Sequence, residues 1–316
     1  MNSSFDKISN EKYGAYALEL YALFAPLALQ LPTLRDNPKL MKSNVKAVGK
    51  EGIADVVTGA DLYMQQKIKE EVAKIHPEWQ FWGEEGEDNI SKYQTGKPFL
   101  VITDPIEGTN NFRAKLDDQW GSVIALVDTN TREPVVGIIA HPTKRIFYFG
   151  IKGGGAYILA YNENKELMLT NKMSSTPLYG YKNFTYNASP HFNPELIKTV
   201  DNFFSLGKVK PDKKDATNLE KSRKAVIMKD SKGIDVIFDD PESGALEAVR
   251  NRGTIYFKTS NEMAAVFVII GEIGGKVTDA DGKSWSLGIN SLISARTNED
   301  YEYLKRIMDS ARNMDK

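Results

Sequence analysis

The sequence predicts a layered protein of α+β and α/β character, and two observations carry that reading. In the first half, short β-rich runs follow one another through turn residues, which is the pattern of an antiparallel meander. In the second half, strands and helices alternate at a spacing that suits an α/β layer. The expected division is an α+β domain at 1–155 and an α/β domain at 156–316.

Each element has its own signal. A first helix fits Asn10–Gln30, and Pro26 is expected to kink it because proline has no amide N–H to donate. A second fits Asp61–Ile75, where Leu62, Met64, Ile68 and Val72 are spaced for one apolar face. Phe99–Thr103 (FLVIT) is a short buried strand that runs into a turn at Asp104. Strands are expected at Ser122–Val127, Val135–Ala140, Arg145–Phe149 and Ala156–Ala160, with turns at Asp128-Thr129-Asn130 and His141-Pro142. Further on come a helix at Phe192–Phe204, a strand at Lys224–Met228 and a helix at Glu242–Asn251. A strand at Thr254–Phe257 and a helix at Glu262–Ile273, stopped by Gly274-Gly275, complete the reading.

Composition narrows the function classes. The chain has 316 residues, 41% hydrophobic and 26% charged, as an ordinary soluble enzyme has. Its 41 basic and 42 acidic residues leave a formal charge of −1, with no global pull towards nucleic acid or an anionic membrane. The absence of cysteine excludes disulfides, thiol nucleophiles and Cys-ligated zinc, and accords with a reducing cytoplasm. His76, His141 and His191 are scattered and offer no zinc-ligand spacing. The apolar run Leu20–Leu29 is too short to span a membrane and contains Pro26, so a core helix is expected there, with neither anchor nor signal peptide. The basic stretch Lys208–Lys224 is diluted by Asp212, Asp215 and Glu220 and reads as a solvated connection. Folded over the metal site, some of its lysines would instead contact a second phosphate or an acidic substrate group.

Two segments concentrate carboxylates beside turn formers: Trp82-Gly83-Glu84-Glu85-Gly86-Glu87-Asp88 and Asp104-Pro105-Ile106-Glu107-Gly108-Thr109-Asn110-Asn111-Phe112. Taken singly, the first is a solvated acidic turn and the second a type I turn. Taken together, they offer a hard cation the oxygen ligands it prefers, with Asp104, the Ile106 carbonyl and Glu107 directed into one volume. A third segment, Asp55 to Asp61, leads into the second helix. Asp61 suits a helix N-cap, and it equally suits a carboxylate that draws a proton through a hydroxyl such as Thr109. The run Lys152-Gly153-Gly154-Gly155-Ala156-Tyr157 lacks the trailing Lys-Ser/Thr of a P-loop and reads as a tight hairpin.

In order along the chain, these residues resemble the inositol monophosphatase family, within the lithium-sensitive, Mg2+-dependent phosphatases. The likeness runs from Lys50 and Ala54–Asp61, through Gly83-Glu84-Glu85 and Asp104–Phe112, to Gly137-Ile138-Ile139, Lys152–Tyr157 and Gly274–Asp279. It implies an α-β-α-β-α sandwich, commonly a homodimer, with two or three Mg2+ (or Mn2+) ions. The implied reaction is hydrolysis of a small phosphate monoester by metal-activated water, with inositol monophosphate as the default substrate. A 3′(2′),5′-bisphosphate nucleotidase or a fructose-1,6-bisphosphatase-like sugar phosphatase is the alternative, and a low-activity binding or regulatory protein is the alternative from another class. By position, Glu84, Asp104, Ile106, Glu107 and Glu262 correspond to metal ligands, and Asp61, Thr109 and Glu84 to catalytic residues. Lys50, matching a mobile-loop lysine near the outer metal, joins Gly108, Thr109 and Lys258 as substrate contacts. Most metal ligands thus fall in 1–155. Two departures stand out: Glu107 where the family has Asp, and Asn261-Glu262 where it has Trp-Asp. Each lengthens an acidic arm by one methylene. Lys258, just ahead of Glu262, would favour a substrate more acidic than inositol monophosphate.

Overall fold

The computed structural model describes residues 8, 11–48, 54–85, 96–117, 119–164, 166–176, 178, 184–188, 226–229, 235–239, 244–258 and 260–314. Lys50, the helix expected at Phe192–Phe204 and the basic stretch Lys208–Lys224 lie outside these residues.

The outermost layer is helical. Helix α1 (Gly14–Ala28) contains Pro26 and ends two residues after it. The one-turn α2 (Leu31–Leu34) follows. By length and hydropathy alone the stretch Gly14–Leu34 could cross a membrane. In the fold, Ala17, Leu20, Phe24 and Ala28 are buried in one core with Met64, Ile68 and Val72 of α3 (Gly59–Ile75). Between the two helices lies a small antiparallel hairpin, β1 (Ser43–Val48) with β2 (Ala54–Thr58), which the sequence pattern did not announce.

Helices α1 and α3 cover a seven-stranded sheet. Its strands are β3 (Gln80–Gly83), β4 (Phe99–Glu107), β5 (Gly121–Asp128), β6 (Glu133–His141), β7 (Ile146–Ile151), β8 (Gly155–Tyr161) and β9 (Leu167–Lys172). They lie in chain order, antiparallel throughout except for the parallel pair β3–β4. The expected meander is therefore present, and it continues past residue 155 to Lys172. Residues 152–154 form the tight turn between β7 and β8, as their glycines imply. Because side chains alternate along a strand, one strand serves two cores. In β5, Ile124 and Leu126 face the helical layer, while Val123, Ala125 and Val127 join a second core on the other side.

That second core encloses α5 (Gly244–Arg250) and α6 (Ser260–Glu272). Beyond them is a six-stranded sheet built from β10 (Phe184–Ala188), β11 (Val226–Lys229), β12 (Asp235–Asp239), β13 (Gly253–Phe257), β14 (Lys276–Thr278) and β15 (Leu292–Ala295). Its order is β11-β12-β10-β13-β15-β14, with β10 parallel to both neighbours. Helix α7 (Asn298–Met314) closes the far face, where Tyr301, Leu304, Ile307 and Met308 pack on Ile255, Phe257 and Ile293. The layers read α-β-α-β-α, as the resemblance implied.

Helix α6 is buried on nearly every side because a sheet lies on each flank. Its approach to the first sheet depends on Gly137 in β6: a Cβ there would stand 2.6 Å from the Ala265 carbonyl oxygen. Backbone, not a mobile side chain, blocks that space. Gly137→Ala is therefore expected to destabilise the fold by about 1–3 kcal/mol, as overpacked cores do, and a urea melt measures it.

Candidate active site

The site forms where the end of β4 meets the first turn of α6. Strand β4 does not stop at Thr103 and turn, as the sequence pattern suggested; it stays paired with β5 through Glu107. The register runs Asp104↔Val123 and then Glu107↔Gly121, so one extra residue is accommodated on β4. A bulge of this kind suits Pro105, which has no N–H for the ladder, and it re-aims the side chains around it. Asp104, Ile106 and Glu107 are all buried here. The Asp104 carboxylate accepts the Ile106 N–H at 3.0 Å, which stiffens the bulge. Gly108 follows at φ +86 as the N-cap of α4 (Thr109–Ala114), a backbone conformation that glycine adopts without strain.

Helix α3 supplies the opposite wall. Thr58 is its N-cap and Asp61 is the third helical residue, the two joined in a capping box. Asp61 is thus not the N-cap itself. Its Oδ2 accepts the Thr58 N–H at 2.8 Å and also the Thr58 hydroxyl. Its Oδ1 accepts the Thr109 hydroxyl at 3.1 Å. The same hydroxyl lies 3.1 Å from the Ile106 carbonyl oxygen. One turn on, Gln65 holds the backbone of Glu85 at both ends, accepting its N–H at 2.8 Å and donating to its carbonyl.

Because β3 and β4 are parallel, their ends emerge together. The Glu84 N–H continues the pairing to the Thr103 carbonyl at 3.0 Å, which sets Glu84 beside the Asp104 bulge. From α6, Asn261 donates to the carbonyls of Trp82 and Thr103 at 3.2 and 3.4 Å. That pins the start of α6, and with it Glu262, to the same two strand ends.

Six carboxylates share this neighbourhood: Asp61, Glu84, Glu85, Asp104, Glu107 and Glu262. Two ammonium groups answer them. Lys46 lies 3.2 Å from Glu84 and 2.5 Å from Glu85, and Lys258 lies 3.0 Å from Glu262. The Glu107 Oε1 is otherwise engaged, accepting the Ala245 N–H at 3.0 Å and the Tyr256 hydroxyl at 2.6 Å. Burial, reinforced by Glu84, Glu262 and Glu107, holds the Asp104 carboxyl well above the usual range. Burial likewise lifts Asp61 to about 6, against its bonds from Thr58, and Glu262 to about 7, against Lys258. Burial and the neighbouring Glu84 lift Glu85 to about 8. Burial opposes the Lys258 ammonium, but Glu262, Glu107 and Glu84 outweigh it and raise its pKa.

The family model described as the inositol monophosphatase family matches residues 30–313.

The chain belongs to the inositol monophosphatase family.

Among curated relatives, inositol monophosphatase 1 of Saccharomyces cerevisiae is 33% identical over 121 residues, covering 38% of each chain. A fructose-1,6-bisphosphatase/inositol-1-monophosphatase of Aquifex aeolicus is 28% identical over 120 residues, 38% of this chain and 42% of that one. The chain therefore matches well under half the length of these two relatives. Across almost the full length, a staphylococcal inositol monophosphatase-1, solved as a LiCl-soaked inhibitory complex, shares the fold. Its TM-score is 0.64 at 18% identity, covering 94% of this chain and 96% of that one.

Members of the inositol monophosphatase family depend on metal, typically Mg2+. An excess of buried carboxylate oxygen fits such a hard cation, and the Glu84, Asp104 and Ile106 carbonyl group has the right chemistry for one. Even so, among the described residues no three acidic or histidine side chains converge closely enough to enclose an ion as they stand. Lys46, Lys258 and Tyr256 instead contact Glu84, Glu85, Glu262 and Glu107. Four participants escaped sequence reasoning. Lys46 is the extra residue of a bulge in β1, between Val45 and Ala47, and its neighbours give no sign of it. Gln65 was findable, one helical turn from Asp61 on the same face. Glu85 was read with Glu84 but given no role. Tyr256 reaches Glu107 across 149 residues of chain.

Asp61, Glu85 and Glu262 all titrate higher in the fold than the ordinary values of 3.8 and 4.5. Their protonation therefore favours the fold at low pH, and that contribution is lost as pH rises from the ordinary values of 3.8 and 4.5 through the folded values of about 6 to 8. Melting curves recorded with a chelator should show the midpoint falling across this window, and saturating Mg2+ should restore most of the loss.

Proposed function

We propose that the chain is a Mg2+-dependent phosphatase that hydrolyses a small phosphate monoester, with inositol monophosphate as the default substrate. The observation that carries this reading is the 3.1 Å hydrogen bond from the Thr109 hydroxyl to Asp61, beside the buried Asp104 bulge. With its proton directed to Asp61, Thr109 keeps lone pairs to accept a proton from an attacking water. The threonine proton then passes to Asp61. A carboxylate lifted by burial to about 6 is a stronger base for that purpose than an exposed one.

Glu84, Asp104 and the Ile106 carbonyl are the residues suited to hold a first Mg2+. When bound, the ion supplies a Lewis acid that polarises a phosphoryl oxygen. At Glu107 and Glu262, where the resemblance implies further metal ligands, Tyr256 and Lys258 hold the carboxylates instead. The Gly108 and Thr109 amides at the start of α4 are suited to receive phosphate oxygens, and the left-handed Gly108 supports that role. A bisphosphate substrate is the second reading. Lys258, with 22% of its side chain exposed, favours it as a cation at the rim, and so does the likeness to the Aquifex enzyme, whose name includes fructose-1,6-bisphosphatase. The same proposal carries a homodimer in the cytoplasm; the family likeness supports the first and the cysteine-free sequence accords with the second.

Phosphate release across a panel of monoesters and bisphosphates, with Mg2+ or Mn2+, tests the reading. Turnover of at least one substrate above the chelated control is expected, and uniform inactivity overturns it. Thr109→Val should lower kcat by about 10²- to 10⁴-fold with little change in KM, the usual contribution of a positioned proton acceptor.

A further inference from the structure

We propose that the Lys258 ammonium serves as a built-in cation for the Glu107–Glu262 half of the site, so that this half takes no divalent ion. The inference rests on the metal-dependent phosphatase reading and bears on how many ions it uses.

Three observations carry it. Lys258 precedes α6 and Glu262 stands in its first turn, four residues on, with Nζ 3.0 Å from the carboxylate oxygen. Glu262 itself is 2% exposed, so its charge has little water to screen it and needs a partner at hand. The second acidic residue of this half is already committed as well. One Glu107 oxygen accepts both the Ala245 N–H and the Tyr256 hydroxyl, which ties it to α5 and β13.

Mg2+ asks for near-octahedral oxygen donors at about 2.0–2.1 Å. To provide them from the bonded oxygen, Glu107 would have to give up buried hydrogen bonds, and Lys258 would have to leave Glu262. Each loss strands a buried polar or charged group, which proteins tolerate poorly. An ammonium needs no such geometry, because its three donors can turn to whichever oxygens are near. The longer acidic arms fit this arrangement: one methylene more carries each carboxylate to a partner of this chain, Tyr256 for Glu107 and Lys258 for Glu262. The other half of the site differs. Its lysine, Lys46, comes from the small β1–β2 hairpin and not from the element that carries Glu84 or Asp104.

The test counts ions on the full chain. Mn2+ is titrated by calorimetry and by electron paramagnetic resonance of the free ion, with Mg2+ in parallel. Wild type is expected to bind one Mn2+, and Lys258→Met two. Near-UV circular dichroism checks that the variant is folded. Independently of that variant, Glu262→Gln should leave the first ion's affinity unchanged, whereas Asp104→Asn should abolish binding. Two ions on wild type, no gain in folded Lys258→Met, or a loss of about tenfold or more in Glu262→Gln overturns the inference and leaves the phosphatase reading standing. Failure of wild type to bind any divalent ion overturns both.

Discussion

Negative charge buried between two sheets is the constraint on which the rest of this molecule turns. Asp104 and Glu107 belong to a strand with neighbours on both sides, and Glu262 opens a helix with a sheet on each flank. None of these carboxylates can relax into solvent. The fold answers them with directed partners: the Ile106 N–H for Asp104, Tyr256 and the Ala245 N–H for Glu107, and Lys258 for Glu262. The partners of Glu107 come from distant stretches of chain, so satisfying its charge also fixes how the layers meet. Glu107 joins the first sheet to α5 and β13, and Asn261 joins α6 to the ends of β3 and β4. The polar centre is a fastening between layers that apolar packing alone would leave free to slide.

The same logic explains why α3 begins where it does. Asp61 answers two demands with its two oxygens. Oδ2 closes the capping box with Thr58, and Oδ1 receives Thr109. A helix terminus is a place where a carboxylate is held rigidly by backbone, and rigidity is what a proton acceptor needs. The cap and the candidate base are therefore one device.

Much of this was legible in the sequence, and what was not has physical causes. β-rich runs in residues 122–160 pointed to the meander because each is short and bounded by turn formers. Asp104-Pro105-Ile106-Glu107-Gly108 stood out as acids beside backbone punctuators, but their conformation did not. Proline and glycine favour a turn locally, whereas pairing with β5 continues the strand and absorbs the mismatch as a bulge. The hairpin β1–β2 and the second sheet's edge strands are short, and short strands carry little periodicity. Helix α7 is a different case: Tyr301, Leu304, Ile307 and Met308 mark an apolar stripe, with Glu299 and Asp300 at its start, and the pattern was simply there to be read. Lys46 was beyond reach, since only the register of the hairpin aims it at Glu84 and Glu85.

The substitutions at Glu107, Asn261 and Glu262 are best understood as one change. A tryptophan ahead of the acid would pack by area; Asn261 instead fastens α6 by two hydrogen bonds to strand-end carbonyls. Those carbonyls belong to Trp82 and Thr103, the residues just before Gly83-Glu84 and Asp104, so the anchor fixes the distance between the Glu84 and Glu262 backbones. With the backbones fixed, side-chain length decides where each charge falls. The longer arms of Glu107 and Glu262 carry their carboxylates to Tyr256 and Lys258, two groups that this chain itself provides. Shortening one arm alone would strand its partner, a buried hydroxyl in one case and a lysine among carboxylates in the other. Glu107, Tyr256, Lys258 and Glu262 therefore have to change together, and reading the acidic positions one at a time would miss what they share.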